Sequence, residues 1–484
     1  MILGVTAATA TPFSAPLKHR HRELRRHGRH LTSSTSLFGD ADDDYTTQLT
    51  VEGKTFHAIV DTGSDVLALS GSRDFGCGAY LDTAHGCNRN VPVKTTYGSG
   101  GWSGVECWRD VWLGDIVVPR YELSAIEKMS NFLTCSPNEQ AGSLRHELIN
   151  EGIIGLSLDG LAGATNTSTP LLYALFASNP QLPRTFGLQC CAYDPLTARG
   201  GDGALDVGGL DPRHYEGALQ YAQVVGGKWW GVDLRDVGVG GASVRVDTHG
   251  HSSAVDPATG EAKYIVDSGT SNLLFLDETY AALKAALVAA AGPARGGPPP
   301  AHGFWNGSAC AAVDVSLLPP IELTMAAEEQ MAGWGNPVTL TVPAARYARY
   351  QPADACDAAT TWRGATGSGG GAGGRAGAAG AGRPGELGSG GARYMYATLL
   401  IGPIGGAGNG NGNGILGQPL FEEYYVAHHA PRHPAPPRIG FAPIAGCGGG
   451  ASASSAASAS SASSASASAS SASSASSASS ASSA

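Results

Sequence analysis

The chain has 484 residues, of which 42% are hydrophobic and 15% are charged, and its formal net charge is −10. This acidic balance argues against a nucleic-acid binder, because phosphate contacts require a basic face. The sequence contains no apolar run of about 18 residues or more, so it encodes no transmembrane helix.

The N-terminal region, residues 1–44, reads as a weak signal followed by a prosegment. Residues 1–16 are mildly apolar but lack the charged n-region of a strong signal peptide. The basic run at 17–30 is interpreted either as a solvated segment or as an inhibitory prosegment whose cations lie against an acidic cleft. A targeting or nucleic-acid role is the weakest of the three interpretations. We expect cleavage near 31–44.

From Tyr45 onward the sequence consists of short β-branched and aromatic runs broken by Gly, Pro, Asn and Asp. Period-two alternation with frequent turn residues predicts many antiparallel strands. Two runs are predicted to be helical, 169–180 and 276–292. The second has Asp277 near its start and Gly292 after its end, as helix boundaries prefer. The predicted fold is therefore mainly β with a few peripheral helices.

One sequence pattern occurs twice. FHAIVDTGSDVLAL (56–69) and AKYIVDSGTSNLLF (262–275) each join an apolar strand, an Asp-Thr/Ser-Gly-Ser/Thr turn and a second apolar run. A repeat at this spacing predicts two similar lobes, 45–222 and 223–447, each presenting one copy of the loop. A single such turn would be an ordinary strand end, but the pairing makes chance improbable.

The repeated loops present one aspartate each, Asp61 and Asp267. Two carboxylates at hydrogen-bonding distance do not both ionise readily, so the pair shares a proton over an acidic range. The ionised partner then takes a proton from water, which attacks an amide carbonyl, while the protonated partner donates to the carbonyl oxygen. This chemistry requires no metal ion and no other cofactor. The proton belongs to the pair and is not assigned to one residue.

Several ordered segments resemble the pepsin-like aspartic proteases, and the resemblance runs from about Tyr45 to Cys447. TTYGSGGWSG (95–104) is similar to the flap that closes over substrate, and NEGIIGLS (150–157) to a core segment of the family. Residues 202–224 resemble the passage between the lobes, and 414–447 the C-terminal strands. The resemblance implies a bilobal fold of two β-barrel-like lobes with the active-site cleft between them. It also implies an endopeptidase with an acidic pH optimum.

Six small residues beside the aspartates have supporting roles by this resemblance: Thr62, Gly63, Ser64, Ser268, Gly269 and Thr270. The hydroxyls three residues after each aspartate are expected to bond the outer carboxylate oxygens, or else merely to cap a turn. The hydroxyls directly after the aspartates are expected to lock the two loops together. The two glycines allow a close backbone approach.

The flap residues Tyr97, Gly98 and Ser99 are expected to cover the substrate backbone, the alternative being an ordinary exposed hairpin tip. In pepsin a Trp stands seven positions after the first aspartate and supports the flap Tyr. Here that position is Ala68, as in the memapsin (β-secretase) branch, which the C-terminal half also resembles. Trp102 is therefore expected to hydrogen-bond Tyr97 instead.

The nine cysteines show no CxxC spacing, which suits disulfides in an oxidising compartment and leaves at least one thiol unpaired. The memapsin resemblance implies the pairs Cys191–Cys447 and Cys310–Cys356. Cys77 and Cys87 are a further candidate pair. Sequons at Asn166 and Asn306 are compatible with glycosylation in the secretory route, so a secreted protein or one of the vacuolar or lysosomal lumen is expected.

Two departures from the family pattern are expected to be peripheral to the carboxylates. Gln418 replaces the usual Asp after Ile-Leu-Gly, and Ala427-His428-His429 replaces the usual Phe-Asp. Residues His428, His429 and His433 could suggest a metal site, but their surroundings predict a Pro-rich surface loop, so no metal site is predicted. GNGNGNG (408–414) lacks the Lys-Ser/Thr of a phosphate loop and reads as a flexible insertion.

Two low-complexity stretches lack the apolar side chains needed to offset the entropy of ordering: the Gly/Ala-rich insertion 363–392 and the Ser/Ala-rich tail 448–484. We expect a monomer that acts on polypeptide substrates. The main alternative is a catalytically silent binding or inhibitor protein of the same fold. A secreted structural glycoprotein would explain the tail but not the paired loops.

Overall fold

The computed structural model describes residues 33–40, 44–98, 100–135, 149–161, 169–194, 199–244, 254–291, 304–306, 311–328, 336–351, 395–404, 412–431 and 435–447. The α-helices of this part are α1 Leu171–Ser178, α2 Asp277–Ala291, α3 Ala344–Tyr347 and α4 Gln418–Phe421. Helices α1 and α2 confirm the two helical predictions. Short 3-10 helices lie at Arg73–Phe75, Phe304–Asn306 and Val315–Leu317.

Strands dominate the structure, which confirms the mainly β prediction. Those of the first half are β1 Ser33–Asp40, β2 Asp44–Val51, β3 Lys54–Asp61, β4 Leu67–Ser70, β5 Cys87–Thr96, β6 Gly101–Leu113, β7 Ile116–Ser130, β8 Gly152–Gly155, β9 Thr185–Cys190, β10 Tyr193–Asp194, β11 Arg199–Gly200, β12 Gly203–Val207 and β13 Gln220–Gln223. Those of the second half are β14 Gly231–Val232, β15 Leu234–Val239, β16 Ala242–Val244, β17 Tyr264–Val266, β18 Leu273–Phe275, β19 Ala311–Val313, β20 Ile321–Met325, β21 Val338–Val342, β22 Ala348–Gln351, β23 Met395–Leu399, β24 Ile401–Pro403, β25 Gly414–Leu416, β26 Tyr424–His429 and β27 Arg438–Pro443.

The first half closes into a β-barrel. Its strands follow the order β2-β3-β8-β4-β7-β6, and β6 pairs back onto β2 to complete the ring. Alternation along β6 shows why the sequence folds this way. Val105, Cys107, Val111 and Leu113 are buried in the core, whereas Trp108, Asp110 and Trp112 on the alternate positions are exposed. Barrel closure leaves no free edge at this point.

The second half repeats the arrangement that holds the first loop. In the first half β3 runs parallel to β8, which is antiparallel to β4, and β4 is parallel to β7. In the second half β17 runs parallel to β25, which is antiparallel to β18, and β18 is parallel to β24. The repeated sequence pattern therefore corresponds to a repeated strand topology.

A shared sheet connects the two halves in the order β13-β27-β26-β9-β12-β1-β2. Strand β1 lies inside this sheet, between β12 and β2, and its Leu37 is fully buried. A boundary placed at residue 44 therefore cuts off a strand that belongs to the folded body. Cleavage anywhere between 41 and 44 would remove β1 from the chain that continues.

The structure contains three disulfides within its described residues: Cys77–Cys135, Cys87–Cys107 and Cys191–Cys447. The last is the pairing that the memapsin resemblance implies. The candidate bridge Cys77–Cys87 is wrong, because Cys87 lies directly opposite Cys107 in the β5–β6 ladder, with 3.9 Å between the Cα atoms. Cys190 is a buried free thiol, and Cys310 and Cys356 lie outside the described residues.

None of the helices in the described ranges is long and apolar enough to cross a membrane.

Candidate active site

Each of the two repeated loops starts where a short buried strand ends. Asp61 closes β3, and Asp267 follows directly after β17. The backbone of each aspartate is held by the neighbouring strand: Leu156 N donates to Asp61 O at 2.7 Å, and Asp267 N donates to Leu416 O at 3.1 Å. The aspartates are 6% and 7% exposed, so both carboxyl groups lie in a largely desolvated position.

The two loops hold each other through buried hydrogen bonds. Thr62 N donates to Ser268 Oγ at 3.1 Å, and Ser268 N donates to Thr62 Oγ1 at 2.9 Å. The same hydroxyls donate onward across the interface, Thr62 Oγ1 to Val266 O at 3.0 Å and Ser268 Oγ to Val60 O at 2.6 Å. Each half of the protein thus supplies partners for buried polar groups of the other half.

Each carboxylate receives a matching pair of donors from its own loop. Gly63 N donates to Asp61 Oδ1 at 2.8 Å, and the Ser64 hydroxyl donates to Asp61 Oδ2. In the second loop, Gly269 N donates to Asp267 Oδ1 at 2.9 Å. Thr270 Oγ1 donates to Asp267 Oδ2 at 2.7 Å. The four donors fix the orientation of both carboxyl planes.

Glycine after each hydroxyl residue lets the loops approach closely. A Cβ on Gly63 would lie 2.6 Å from Cγ of Asp267, and a Cβ on Gly269 would lie 2.4 Å from Oδ1 of Asp61. Both distances are far shorter than a van der Waals contact. Any side chain at these positions would therefore push the opposing carboxyl group away.

The two carboxyl groups interact directly. Burial raises the pKa of Asp61 well above its ordinary value, and the charge of Asp267 and a hydrogen bond with its carboxyl group raise the pKa further. The donors Ser64 and Gly63 oppose this shift. The structure therefore favours a pair in which one carboxyl group keeps its proton, because neighbouring like charges disfavour ionisation of both groups.

The predicted flap is the hairpin between β5 and β6. Tyr97 N donates to Gly100 O at 2.7 Å to close its tip, Gly98 is exposed, and Ser99 lies outside the described residues. The Tyr97 ring stacks on Phe132 with 5.1 Å between centroids. Its hydroxyl is buried and faces Trp102 and Ser64, and burial raises its pKa.

The expected hydrogen bond between Trp102 and Tyr97 does not form in the structure. Both Trp102 Nε1 and the Tyr97 hydroxyl are buried without a hydrogen-bond partner in the described part of the chain. Trp102 lies in the apolar cluster beneath the flap together with Ile59, Val66 and Ile126.

Gln418 is not peripheral to the carboxylates, so the expectation from the sequence is wrong at this position. Its side-chain amide is fully buried, and Nε2 donates to the carbonyl oxygen of Ser268, directly after Asp267. Its backbone N donates to Thr270 O at 2.8 Å. The replacement of a carboxylate by an amide therefore lies against the second catalytic loop rather than in a remote loop.

His428 and His429 also differ from expectation, because they lie on β26 and not on a surface loop. His428 is fully buried and stacks on Phe186 with 4.4 Å between centroids. Neither of its ring nitrogens has a hydrogen-bond partner among the described residues. No group of three or more metal-ligating side chains occurs in the described ranges, which do not include His433.

Sequence reasoning missed two supports of the first loop. Trp229 Nε1 donates to Gly63 O at 3.0 Å, and Trp230 Nε1 donates to Leu156 O at 2.8 Å. Both tryptophans come from the start of the second half. The adjacent Trp pair in GKWWGV was a visible signal, because two neighbouring indoles in a β-rich chain must each find a polar partner when buried.

The two predicted glycosylation sites lie beyond what the structure describes. Asn166 is outside the described residues. Asn306 ends the 3-10 helix Phe304–Asn306, but its side chain is not among those described.

Thr62→Val and Ser268→Ala are each expected to destabilise the fold by about 1–3 kcal/mol for every buried partner left unpaired. Each change removes two cross-loop hydrogen bonds while altering little volume. Urea unfolding midpoints measure the effect, with the exposed Ser243→Ala as a control expected to change stability by about 0.5 kcal/mol or less. Wild-type stability in both variants would contradict a role for these bonds in joining the halves.

Comparison with known proteins matches the family model "Eukaryotic aspartyl protease" to residues 44–356. Polyporopepsin of Irpex lacteus is 25% identical over 242 residues, which cover 49% of this chain and 62% of that protein. A beta-secretase of Strongylocentrotus purpuratus is 24% identical over 312 residues, covering 60% of this chain and 54% of that protein. Aspartic proteinase A2 of Arabidopsis thaliana is 26% identical over 214 residues, covering 42% of this chain and 38% of that protein.

The chain thus spans between about two fifths and three fifths of the length of these relatives. The family model, in contrast, covers well over half of the 484 residues and includes both repeated loops. The chain belongs to the eukaryotic aspartyl protease family.

Proposed function

We propose that this protein is an aspartic endopeptidase in which Asp61 and Asp267 activate water to hydrolyse a peptide bond. The observation that carries the proposal is the matched pair of buried carboxyl groups, each fixed by a backbone amide and a hydroxyl of its own loop. The glycine of each loop lies against the carboxyl group of the other loop. The raised pKa of Asp61 supports a shared proton.

The proposed reaction follows from this shared proton. The ionised carboxylate accepts a proton from a water molecule, whose oxygen attacks the carbonyl carbon of the scissile amide. The other carboxyl group donates its proton to the carbonyl oxygen, giving a neutral tetrahedral intermediate. Proton transfer to the amide nitrogen and collapse of the intermediate then break the C–N bond and return the pair to one shared proton.

Substrate binding in this proposal relies on the cleft between the halves. An extended polypeptide would lie across the two loops, with Tyr97 of the flap over its backbone and its alternate side chains in pockets of each half. The apolar cluster beneath the flap, with Phe132 stacked on Tyr97, supports preference for apolar side chains next to the cleaved bond. The three disulfides fit a protein of the secretory pathway.

Cleavage of a quenched fluorescent peptide library at stepped pH from about 3 to 7 tests the proposal. We expect cleavage that is strongest at acidic pH, because the pair must keep one proton, and that pepstatin abolishes. The library also reports subsite preference. A correctly folded protein, freed of residues N-terminal to Ser33, that cuts nothing at any pH would contradict the enzyme and favour the binding or inhibitor alternative.

A further inference from the structure

An outward-facing patch on β6 and β7 is not explained by the proposed chemistry. We define this outer β6–β7 face by Glu106, Trp108, Asp110 and Trp112 on β6 and Glu122 on β7. Trp108 and Trp112 are 37% and 44% exposed, unusually large values for tryptophan in a folded domain. They lie four residues apart on one face of the strand, about 13 Å along it. Glu122 stands directly opposite Trp108 in the β6–β7 ladder.

The outer β6–β7 face is acidic as well as aromatic. None of Glu106, Asp110 and Glu122 forms an ion pair with a described residue. Partial burial and the charge of Glu122 raise the pKa of Glu106. Asp115 adds a further carboxylate in the turn after β6, and Arg120, whose backbone N donates to Asp110 Oδ1 at 2.8 Å, adds a cation on β7. The face therefore carries negative charge that a cationic partner would stabilise.

The chain itself enters the fold beside this face. A Cβ on Gly114, two residues after Trp112, would lie 2.5 Å from Oγ of Ser33 and 3.1 Å from Cγ2 of Thr35. Ser33 is the first described residue. Strands β1 and β6 are both antiparallel to β2, so they run in the same sense. The start of β1 therefore lies beside Gly114, at the end of β6 that follows Trp112.

The segment that precedes Ser33 has the complementary chemistry. Residues 17–30, LKHRHRELRRHGRH, contain six Lys or Arg, four His and one Glu, and the segment ends three positions before Ser33. Fourteen extended residues reach up to about 46–50 Å, well beyond the spacing of the two tryptophans. Arg and Lys side chains stack on exposed indole rings and pair with neighbouring carboxylates, so one segment can use both features of the face.

We propose that the basic segment 17–30 docks on the outer β6–β7 face of its own chain. Its cations stack on Trp108 and Trp112 and pair with Glu106, Asp110 and Glu122. The competing site is the cleft, where the carboxylates of Asp61 and Asp267 already hold donors from their own loops. On the outer β6–β7 face, Asp110 Oδ1 accepts one hydrogen bond from Arg120 N at 2.8 Å, whereas the Glu106 and Glu122 carboxylates accept none from the described residues. The face lies beside Ser33, which follows the segment by three positions. Docking there would leave the cleft open to substrate while the segment is still attached.

Hydroxyl-radical footprinting of the full chain tests the docking. The parent protein carries Asp267→Asn, which prevents self-cleavage, so the result does not depend on whether the protein is a protease. A variant with Arg25→Ser, Arg26→Ser and Arg29→Ser removes half of the cations. We expect oxidation of Trp108 and Trp112 to rise about threefold or more in this variant, and also in the parent at 1 M salt, where charges are screened beyond about 3 Å.

The controls separate docking on the face from other outcomes. Lys94→Ser with Lys128→Ser removes two exposed cations from the flap side and is expected to leave the oxidation of both tryptophans unchanged. Tyr280 on α2 serves as an internal reference. Glu106→Gln with Glu122→Gln should reproduce the increase at Trp108. Unchanged oxidation of Trp108 and Trp112 in the Arg variant would overturn the proposal, and increased oxidation at Tyr97 instead would place the segment in the cleft.

Discussion

Asp61→Asn and Asp267→Asn are each expected to lower kcat by at least about 10³-fold at every pH, because neither variant can both hold and release the shared proton. Asparagine keeps the shape of aspartate and still accepts hydrogen bonds through its carbonyl oxygen. Stopped assays with the best library peptide at pH 4 and pH 6 measure the loss. Retention of more than a tenth of the wild-type rate in either variant would exclude the paired mechanism.

The same substitutions separate a catalytic role from a structural one. The pKa of Asp61 is raised in the folded state, so above about pH 4 the folded protein holds a proton on Asp61 that the unfolded chain has lost. The contribution of Asp61 to the free energy of unfolding therefore falls as the pH rises from about 4 toward the raised pKa. Asp61→Asn should therefore be at least as stable as wild type at pH 7. As a control, Asp206→Asn removes a buried carboxylate held by Tyr425 and His214, so it should lower stability but not kcat.

His428→Phe is expected to reduce the loss of stability between pH 7 and pH 4 by about 3 kcal/mol. Burial among aromatic rings, with a smaller effect of the charge of His429, lowers the pKa of His428 to about 3. An unfolded histidine titrates near pH 6.5. The unfolded chain therefore binds more protons than the folded protein between these values, so this residue destabilises the fold as the pH falls. Phenylalanine carries no such proton.

Urea unfolding at pH 4, 5, 6 and 7 measures this effect for wild type and variant. Fitting the larger ring against Phe186 and Trp230 would lower the free energy of unfolding by the same amount at every pH. It would therefore not change the slope of the free energy of unfolding against pH. The exposed His85→Gln provides the matched control, for which we expect the wild-type slope. A His428→Phe slope equal to that of wild type would show that His428 is not kept neutral by the fold.

Asp61 and His428 oppose each other in pH dependence. The buried carboxyl group favours the folded state toward acidic pH, whereas the buried imidazole disfavours it there. If the enzyme works at acidic pH as proposed, its lower working limit is set by the fold as well as by the carboxyl pair, and His428 contributes to that limit.

Local features of the site could be predicted from the sequence because they are repeated and contiguous. The two Asp-Thr/Ser-Gly loops, their apolar strands and the hydroxyls three residues on all lie within short segments. Their repetition predicted two matching halves, which the parallel pairings β3–β8 and β17–β25 now show. The positions of Thr62 and Ser268 against each other follow from the same repeat.

Features that depend on distant strands could not be predicted in this way. Cys87 pairs with Cys107 because β5 and β6 form a hairpin in one particular register, which the cysteine spacing does not encode. Gln418 reaches Ser268 only because β25 lies beside β17. His428 is buried because β26 joins the sheet shared by both halves, although the sequence that follows the two histidines, APRHPAPP, is rich in proline.

The free thiol of Cys190 has a consequence for refolding. Burial and the charge of Glu422 raise its pKa well above the ordinary value, so in the folded protein the sulfur stays protonated and unreactive. Its chain neighbour Cys191 is already joined to Cys447. Unfolding places an ordinary thiol directly beside that disulfide, and at neutral pH the thiolate can attack it and exchange partners. Above neutral pH, heat inactivation then includes exchange of disulfide partners, which makes it irreversible. Acidifying the sample before cooling protonates the thiolate and stops the exchange, so the active fraction recovered depends on how soon acid is added.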